Sequence, residues 1–136
     1  MNQTEVENFV ESLDDVKRQE NMGYIFFFVG DDIYRPFVTI ANTDQEFDNV
    51  SNLDREGVFR INIGLSRGTF NELVGDYDPE DIDYSELDVV LPHPDYAKQL
   101  FVCILSPTGE NEALTKELIK EAHSIAAARL ERKSSN

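Results

Sequence analysis

Gly64-Leu65-Ser66-Arg67-Gly68 is the segment whose residue types and spacing come nearest to reaction chemistry. It fits G-x-S-x-G, the pattern of a nucleophile elbow, in which a sharp strand-to-helix turn exposes a serine hydroxyl. Acidic residues and then His93 follow, so the order serine, acid, histidine is available for a serine hydrolase. Such an enzyme also needs an oxyanion hole and a large parallel sheet. A chain of 136 residues with antiparallel-looking connections is short for that scaffold. Ser66 also stands where a helix N-cap is expected, and capping is the preferred reading.

A second constellation is polar rather than nucleophilic. Arg55, Arg60 and Asn62 lie on or beside one strand. Leu91-Pro92-His93-Pro94-Asp95-Tyr96 is a stiff turn presenting an imidazole and a phenol. Its two prolines restrain the backbone, so the side chains are preorganised for a ligand. Guanidinium groups are natural anchors for carboxylate or phosphate. Arg55, Arg60, Asn62, His93 and Tyr96 are therefore the candidate ligand-binding residues, in a non-enzymatic module for a small anionic ligand or a protein or peptide partner. The competing account pairs Arg60 with an acid and leaves His93 and Tyr96 to cap and pack loops.

Metal chemistry has little support. Asp76, Asp78 and Glu80 imitate the start of a calcium loop, but Asp81 replaces the required Gly and Leu87 the required Glu. His93 and His123 have no H-x-x-x-H or Cys partner. G-x-G-x-x-G and Walker patterns are absent. No cofactor or metal is expected.

The elements that must position these residues follow from periodicity. Residues 4–18 read as an amphipathic helix, with Thr4 and Glu7 as a capping box and Val6, Phe9, Val10, Leu13 and Val16 as its stripe. Strands are predicted over 24–29 and about 37–41, paired like a hairpin. Residues 42–57 are polar and turn-rich. Residues 58–63 alternate, with Phe59, Ile61 and Ile63 on one face and Val58, Arg60 and Asn62 on the other. A short helix over 66–74 ends at Gly75. Seven of the thirteen residues from Asp76 to Asp88 are acidic, which predicts an exposed loop. Residues 101–105 are apolar on both faces, as in a covered central strand. A long helix over about 112–132 closes the chain, with Leu114, Leu118, Ile119, Ala122, Ile125, Ala126 and Leu130 on one side. The expected fold is one α+β domain: an N-terminal helix, about four mainly antiparallel strands with a short inserted helix, and a long C-terminal helix packed on the sheet.

Composition fits that domain. Forty per cent of the residues are hydrophobic, enough for a core without metal or disulfide staples. The one cysteine, Cys103, excludes an internal disulfide and reads as a small buried hydrophobe. No apolar run approaches the ~20 residues of a membrane span. The start Met-Asn-Gln-Thr-Glu lacks signal-peptide regions, so a cytoplasmic address is expected. A net charge of −15 repels a phosphate backbone, so nucleic acid is not an expected partner. The same acidity offers an alternative function, docking a basic protein partner or mimicking DNA, besides simple solubility. Arg129, Arg132 and Lys133 are the one basic cluster, placed to complement a helix C-terminus. Monomer and homodimer are both compatible with the pattern.

Several segments resemble a bacterial family of small proteins of unknown function. They are residues 53–64, Leu-Asp-Arg-Glu-Gly-Val-Phe-Arg-Ile-Asn-Ile-Gly; residues 91–97, Leu-Pro-His-Pro-Asp-Tyr-Ala; residues 101–107; and Glu121-Ala122-His123 with residues 126–129. The resemblance spans about residues 53 to 130. Leu100-Phe101 stands where that family tends to have Gly-Trp, Ser106 where it tends to have Asn, and the family does not hold Gly at position 68. The order of elements is more distantly similar to the MmcQ/YjbR-like fold. Members of that group have been called DNA-binding, a property the charge here argues against. The resemblance implies a fold and no activity.

Overall fold

The computed structural model describes residues 1–134. Helix α1 covers Gln3–Glu11 and is opened by Asn2. The Asn2 side chain accepts from the Glu5 N–H at 2.9 Å, and the Glu5 carboxylate accepts from the Asn2 N–H at 3.1 Å. This is a capping box two residues earlier than Thr4 and Glu7 predict. The helix also ends well before residue 18. Ser12 is its C-cap and Asp15 turns the chain with φ 57°. Val16–Asn21 then forms strand β1, paired with β2 (Tyr24–Val29). The cause lies in the connection. Met22 and Gly23 have φ 54° and 83°, as in the two-residue turn whose twist matches that of paired strands. β1 is an edge strand exposed from Lys17 to Asn21, so it carries no apolar alternation to reveal it.

The remaining elements are β3 (Val38–Ala41), β4 (Arg60–Gly64), α2 (Arg67–Val74), β5 (Leu91–Pro92), β6 (Phe101–Leu105) and α3 (Glu110–Ser134). Single 3-10 turns occur at Pro79–Asp81 and Ala97–Gln99. Among the described residues, six strands form one sheet in the order β1-β2-β3-β4-β6-β5, every neighbouring pair antiparallel. About four strands were expected; the two additional ones are the polar edge β1 and the two-residue β5. The helix–sheet–helix order is otherwise the expected α+β arrangement.

The register divides the sheet into two chemical faces. Ile25, Phe27, Val38, Ile40, Ile61, Ile63, Val102 and Ile104 turn to one side. There they pack with Val6 and Val10 of α1, Phe70 of α2, and Leu118, Ile119, Ala122 and Ala126 of α3. Burying each large side chain of this kind contributes about 1.5–3 kcal/mol. Phe59, Ile61 and Ile63 share this core, as their alternation predicts. Among the described residues the opposite face has no α-helix on it and carries a smaller cluster of Ala41, Leu53 and Leu105, flanked by Tyr24 and Val58.

Two non-glycine residues near β6 take special backbone positions: Leu100 has φ 69° and Ser106 has φ 43°. Both are left-handed, the region that Gly enters freely and Asn more readily than most residues.

Candidate functional site

The helix-free face is built in cross-strand rows. One row runs Tyr24, Ala41, Arg60, Leu105; the next runs Phe26, Thr39, Asn62, Cys103, Leu91. His93 belongs to the same face, since its N–H donates to the Phe101 carbonyl at 3.0 Å and its ring meets the Phe101 edge at 6.5 Å. The strands thus bring Arg60, Asn62 and His93 to one surface. Tyr96 stands at its rim, 56% exposed, with its ring 5.0 Å from that of His93.

Both terminal nitrogens of Arg60 are engaged. Nη1 donates to Asp48 Oδ1 at 2.9 Å and to Ser51 Oγ at 3.0 Å, and Nη2 donates to Asp48 Oδ2 at 2.5 Å. The Tyr24 hydroxyl donates to the same Oδ2 at 2.6 Å. Ala41, between Tyr24 and Arg60 in the row, is small enough to leave them room to converge on Asp48. Burial works against the Asp48 carboxylate, but the bonds from Arg60 and Tyr24 and the Arg60 charge hold its pKa below the ordinary value. Burial and the bond to Asp48 raise that of Tyr24. Arg55 is engaged in another way: Nε donates to the Asn52 carbonyl at 2.7 Å, and Nη2 to those of Ser51 and Ser85 at 3.1 and 2.9 Å. It clamps two loops and is not part of the surface around Asn62.

Three groups on this face are incompletely satisfied, the first being Arg60, whose buried Nε has no hydrogen-bond partner. Asn62, 2% exposed, donates from Nδ2 to Thr39 Oγ1 at 2.9 Å, while its Oδ1 is buried without a hydrogen-bond partner. His93 Nδ1 accepts from the N–H groups of Asp95 and Tyr96, both at 3.0 Å. A ring nitrogen that accepts carries no proton, so the neutral ring bears its hydrogen on Nε2. Burial, assisted by the Arg60 charge, pushes the His93 pKa down to about 4 and keeps the ring neutral. Among the described residues no acceptor meets Nε2–H. Cys103 lies beside Asn62 with its thiol pushed up to about 12 by burial, and so is unreactive at neutral pH.

The strand pattern had marked Arg60 and Asn62, and the proline-flanked turn His93 and Tyr96. They missed Asp48, Ser51, Tyr24 and Thr39. Tyr24 and Thr39 could have been found by alternation along β2 and β3. Asp48 and Ser51 sit in the patternless stretch 42–57, and only the folded chain reveals them.

Ser66 caps α2. Its Oγ accepts from the Thr69 N–H at 3.3 Å and its hydroxyl donates to Thr69 Oγ1 at 3.1 Å. Glu121 accepts from the Ser66 N–H at 3.1 Å and from the Thr69 hydroxyl at 2.7 Å. Neither histidine bonds to Ser66: His93 caps its own turn, and His123 Nε2 lies 2.7 Å from the Asp14 carbonyl. Asp78 likewise caps the turn that follows it, accepting from the Glu80 N–H at 3.0 Å. Among the described residues, no cluster of His, Cys, Asp and Glu is arranged to hold a metal ion, and no helix is long and apolar enough to cross a membrane. A polar groove of about 290 Å³ lies between α1 and the β1–β2 hairpin. Its Arg18 is already shared among Glu7, Glu11 and Glu20.

No curated protein and no solved structure matches this chain. A family profile does match, over residues 1–135, and so includes the N-terminal helix and the β1–β2 hairpin. The chain therefore belongs to DUF6194, a family of unknown function.

Proposed function

We propose that the protein is a non-enzymatic binding module whose ligand site is the helix-free face of the sheet around Asn62, His93 and Tyr96. The observation that carries this reading is the buried Asn62 Oδ1, which has no donor. Leaving such a group unpaired costs about 1–3 kcal/mol, and natural folds keep few of them without a role. On the same face the Nε2–H of His93 is a donor fixed in one tautomer by the two N–H groups on Nδ1. An acceptor and a donor together suit an uncharged amide-like edge, such as a peptide group, a lactam or a nucleobase. The rings of Phe26, Phe101 and Tyr96 on the same face supply flat apolar walls. The charge of Arg60 is already matched by Asp48 and Arg55 clamps two loops, so a neutral ligand fits this face better than the anion their side chains suggest, with Arg60 Nε left as one further donor. Because Asn62 Oδ1 is sealed from solvent, binding involves a local opening of the residues over it.

Thermal unfolding with panels of amides, nucleosides, carboxylates and phosphorylated metabolites tests the site in wild type and Asn62→Leu. A compound that raises the wild-type midpoint and not that of the variant supports it. Equal shifts in both proteins, or none, remove it.

A second reading rests on the segment 76–88, whose acidic side chains form no ion pair among the described residues and stand in largely exposed backbone. It would dock a basic protein partner or mimic DNA, and a complex that survives high salt would count against a purely electrostatic dock. The element order supports kinship with the MmcQ/YjbR-like fold as a proposal.

A further inference from the structure

At the end of the sheet where β2 passes to β3, the loop of residues 30–36 folds against the last turns of α3. Gly30 lies so close to Leu130 that an added Cβ would stand 2.4 Å from its Cδ2. Asp32 organises this loop. Its Oδ1 accepts from the N–H groups of Tyr34 and Arg35 at 3.1 and 3.3 Å, while its Oδ2 lies 3.9 Å from Arg129 Nε. That distance is too long for a hydrogen bond. Arg129 Nε is accordingly a buried donor without a partner.

Arg35 and Arg132 both bear electrostatically on Arg129; burial first, then the Arg35 charge, holds the Arg129 pKa below its ordinary value. Arg35 and Arg132 are exposed and neither forms an ion pair among the described residues. Cations at the end of a helix are normally explained by its dipole, and that explanation serves Arg132 and Lys133. It does not serve Arg35, which a separate loop delivers to the same place. Arg129 beside Asp32, Arg35 tied to Asp32 through its backbone N–H, and Arg132 one helical turn beyond Arg129 thus bring three arginines to one region of a protein whose net charge is −15.

We propose that Arg35, Arg129 and Arg132 form an oxyanion site that takes a phosphate group. The planar forks of arginine suit the oxygens of phosphate, and an anion there would satisfy the orphaned Arg129 Nε and relieve the mutual repulsion of the cluster. Asp32 fixes the loop so that Arg35 is presented. Tyr34, 84% exposed next to Arg35, offers a ring to whatever carries the phosphate. The acidic surroundings oppose a multiply charged ligand, which places the affinity in the millimolar range at physiological salt.

The test is a titration with inorganic phosphate at constant ionic strength, using chloride as the reference, read from the arginine Nε–H signals by NMR. A saturable shift of the Arg129 Nε–H is expected. Arg35→Ala, an exposed change that leaves the core untouched, should weaken the apparent affinity by roughly tenfold. Arg67→Ala, on α2, should leave it unchanged. Shifts that never saturate, that chloride reproduces, or that are equally strong in Arg35→Ala and Arg132→Ala would overturn the site. Repeating the titration with phosphotyrosine separates the sources: tighter binding than inorganic phosphate assigns a role to Tyr34, and equal binding confines recognition to the phosphate itself.

Discussion

Arg60 and Asp48 meet in a two-pronged ion pair, Nη1 on Oδ1 at 2.9 Å and Nη2 on Oδ2 at 2.5 Å, with 1% of the arginine exposed. The pair joins a central strand to the long loop between β3 and β4, and Tyr24 braces it from β2. It thereby fastens a patternless stretch of chain over the sheet. The same contact occupies both terminal nitrogens of Arg60 and leaves only its Nε without a partner.

Breaking that pair from the acidic side leaves a buried guanidinium without its counter-charge. Asp48→Ala is therefore expected to destabilise the protein by about 3–5 kcal/mol in urea unfolding. Tyr24→Phe, which removes one bond to the carboxylate, should cost about 1–2 kcal/mol. In a double-mutant cycle, Asp48→Ala combined with Arg60→Met should cost clearly less than the sum of the single changes. Strict additivity would show that the two side chains are not coupled.

His93 gives a second expectation, in pH. Its folded pKa is about 4, below the ordinary 6.5, so the unfolded chain takes up the proton first as pH falls. Stability should decline between about pH 6.5 and about pH 4, by on the order of 3 kcal/mol over the whole window, with no further loss from this group below it. Asp48, whose folded pKa is depressed, adds a separate loss at lower pH, as acid reaches its folded value. His93→Asn can offer an oxygen to the same two N–H groups without titrating, and should flatten the upper window. An unchanged slope in that variant would assign the pH dependence elsewhere.

The glycines of the Gly64-Leu65-Ser66-Arg67-Gly68 segment should respond in opposite directions. A Cβ at Gly64 would lie 3.0 Å from the Phe101 ring, whereas nothing lies within 4 Å of one at Gly68. Gly64→Ala should destabilise by about 1–3 kcal/mol through that overlap. Gly68→Ala, in the first turn of α2, should stabilise by about 0.5–1 kcal/mol. Ser66→Ala should cost about 1 kcal/mol as a lost cap. A serine nucleophile would instead be labelled by a fluorophosphonate in the folded protein, and no labelling is expected.

Ser106 provides a prediction from backbone geometry alone. Its φ of 43° is left-handed, and its Oγ accepts from the Phe59 N–H at 3.3 Å. Asn tolerates that backbone better and keeps an acceptor oxygen. Ser106→Asn should raise stability by about 0.5–1 kcal/mol in chemical denaturation. A loss would mean that the site is set by packing against the neighbouring turn and not by its φ.

The sequence revealed elements wherever a residue's role could be read from its own periodicity. β2 and β6 lie where their apolar runs place them, and α2 begins behind Ser66 as its capping pattern requires. The hairpin of β1 was hidden because exposed edge residues such as Lys17, Arg18 and Glu20 carry no burial pattern. Its one local sign was the glycine after Met22, and the preceding apolar spacing imitated a longer helix. At the candidate site, alternation brought Arg60 and Asn62 to one face. Their partners Asp48 and Thr39 depend on cross-strand register and on a loop closing over the sheet. Arg55 shows the limit most clearly, because its carbonyl partners at Ser51, Asn52 and Ser85 have no side-chain signature at all.

The division of the sheet into an oily side and a wired side gives it two kinds of tolerance. On the side of Phe27, Ile61 and Ile104, van der Waals contact grades the penalty, so a smaller side chain weakens the fold in proportion to the volume removed. On the side of Arg60, Asp48 and Asn62, each residue matters through discrete bonds. A substitution there either preserves a donor and acceptor or strands one, with little in between. Drift in such a protein is therefore smooth on one surface of the same five-residue strand and stepwise on the other.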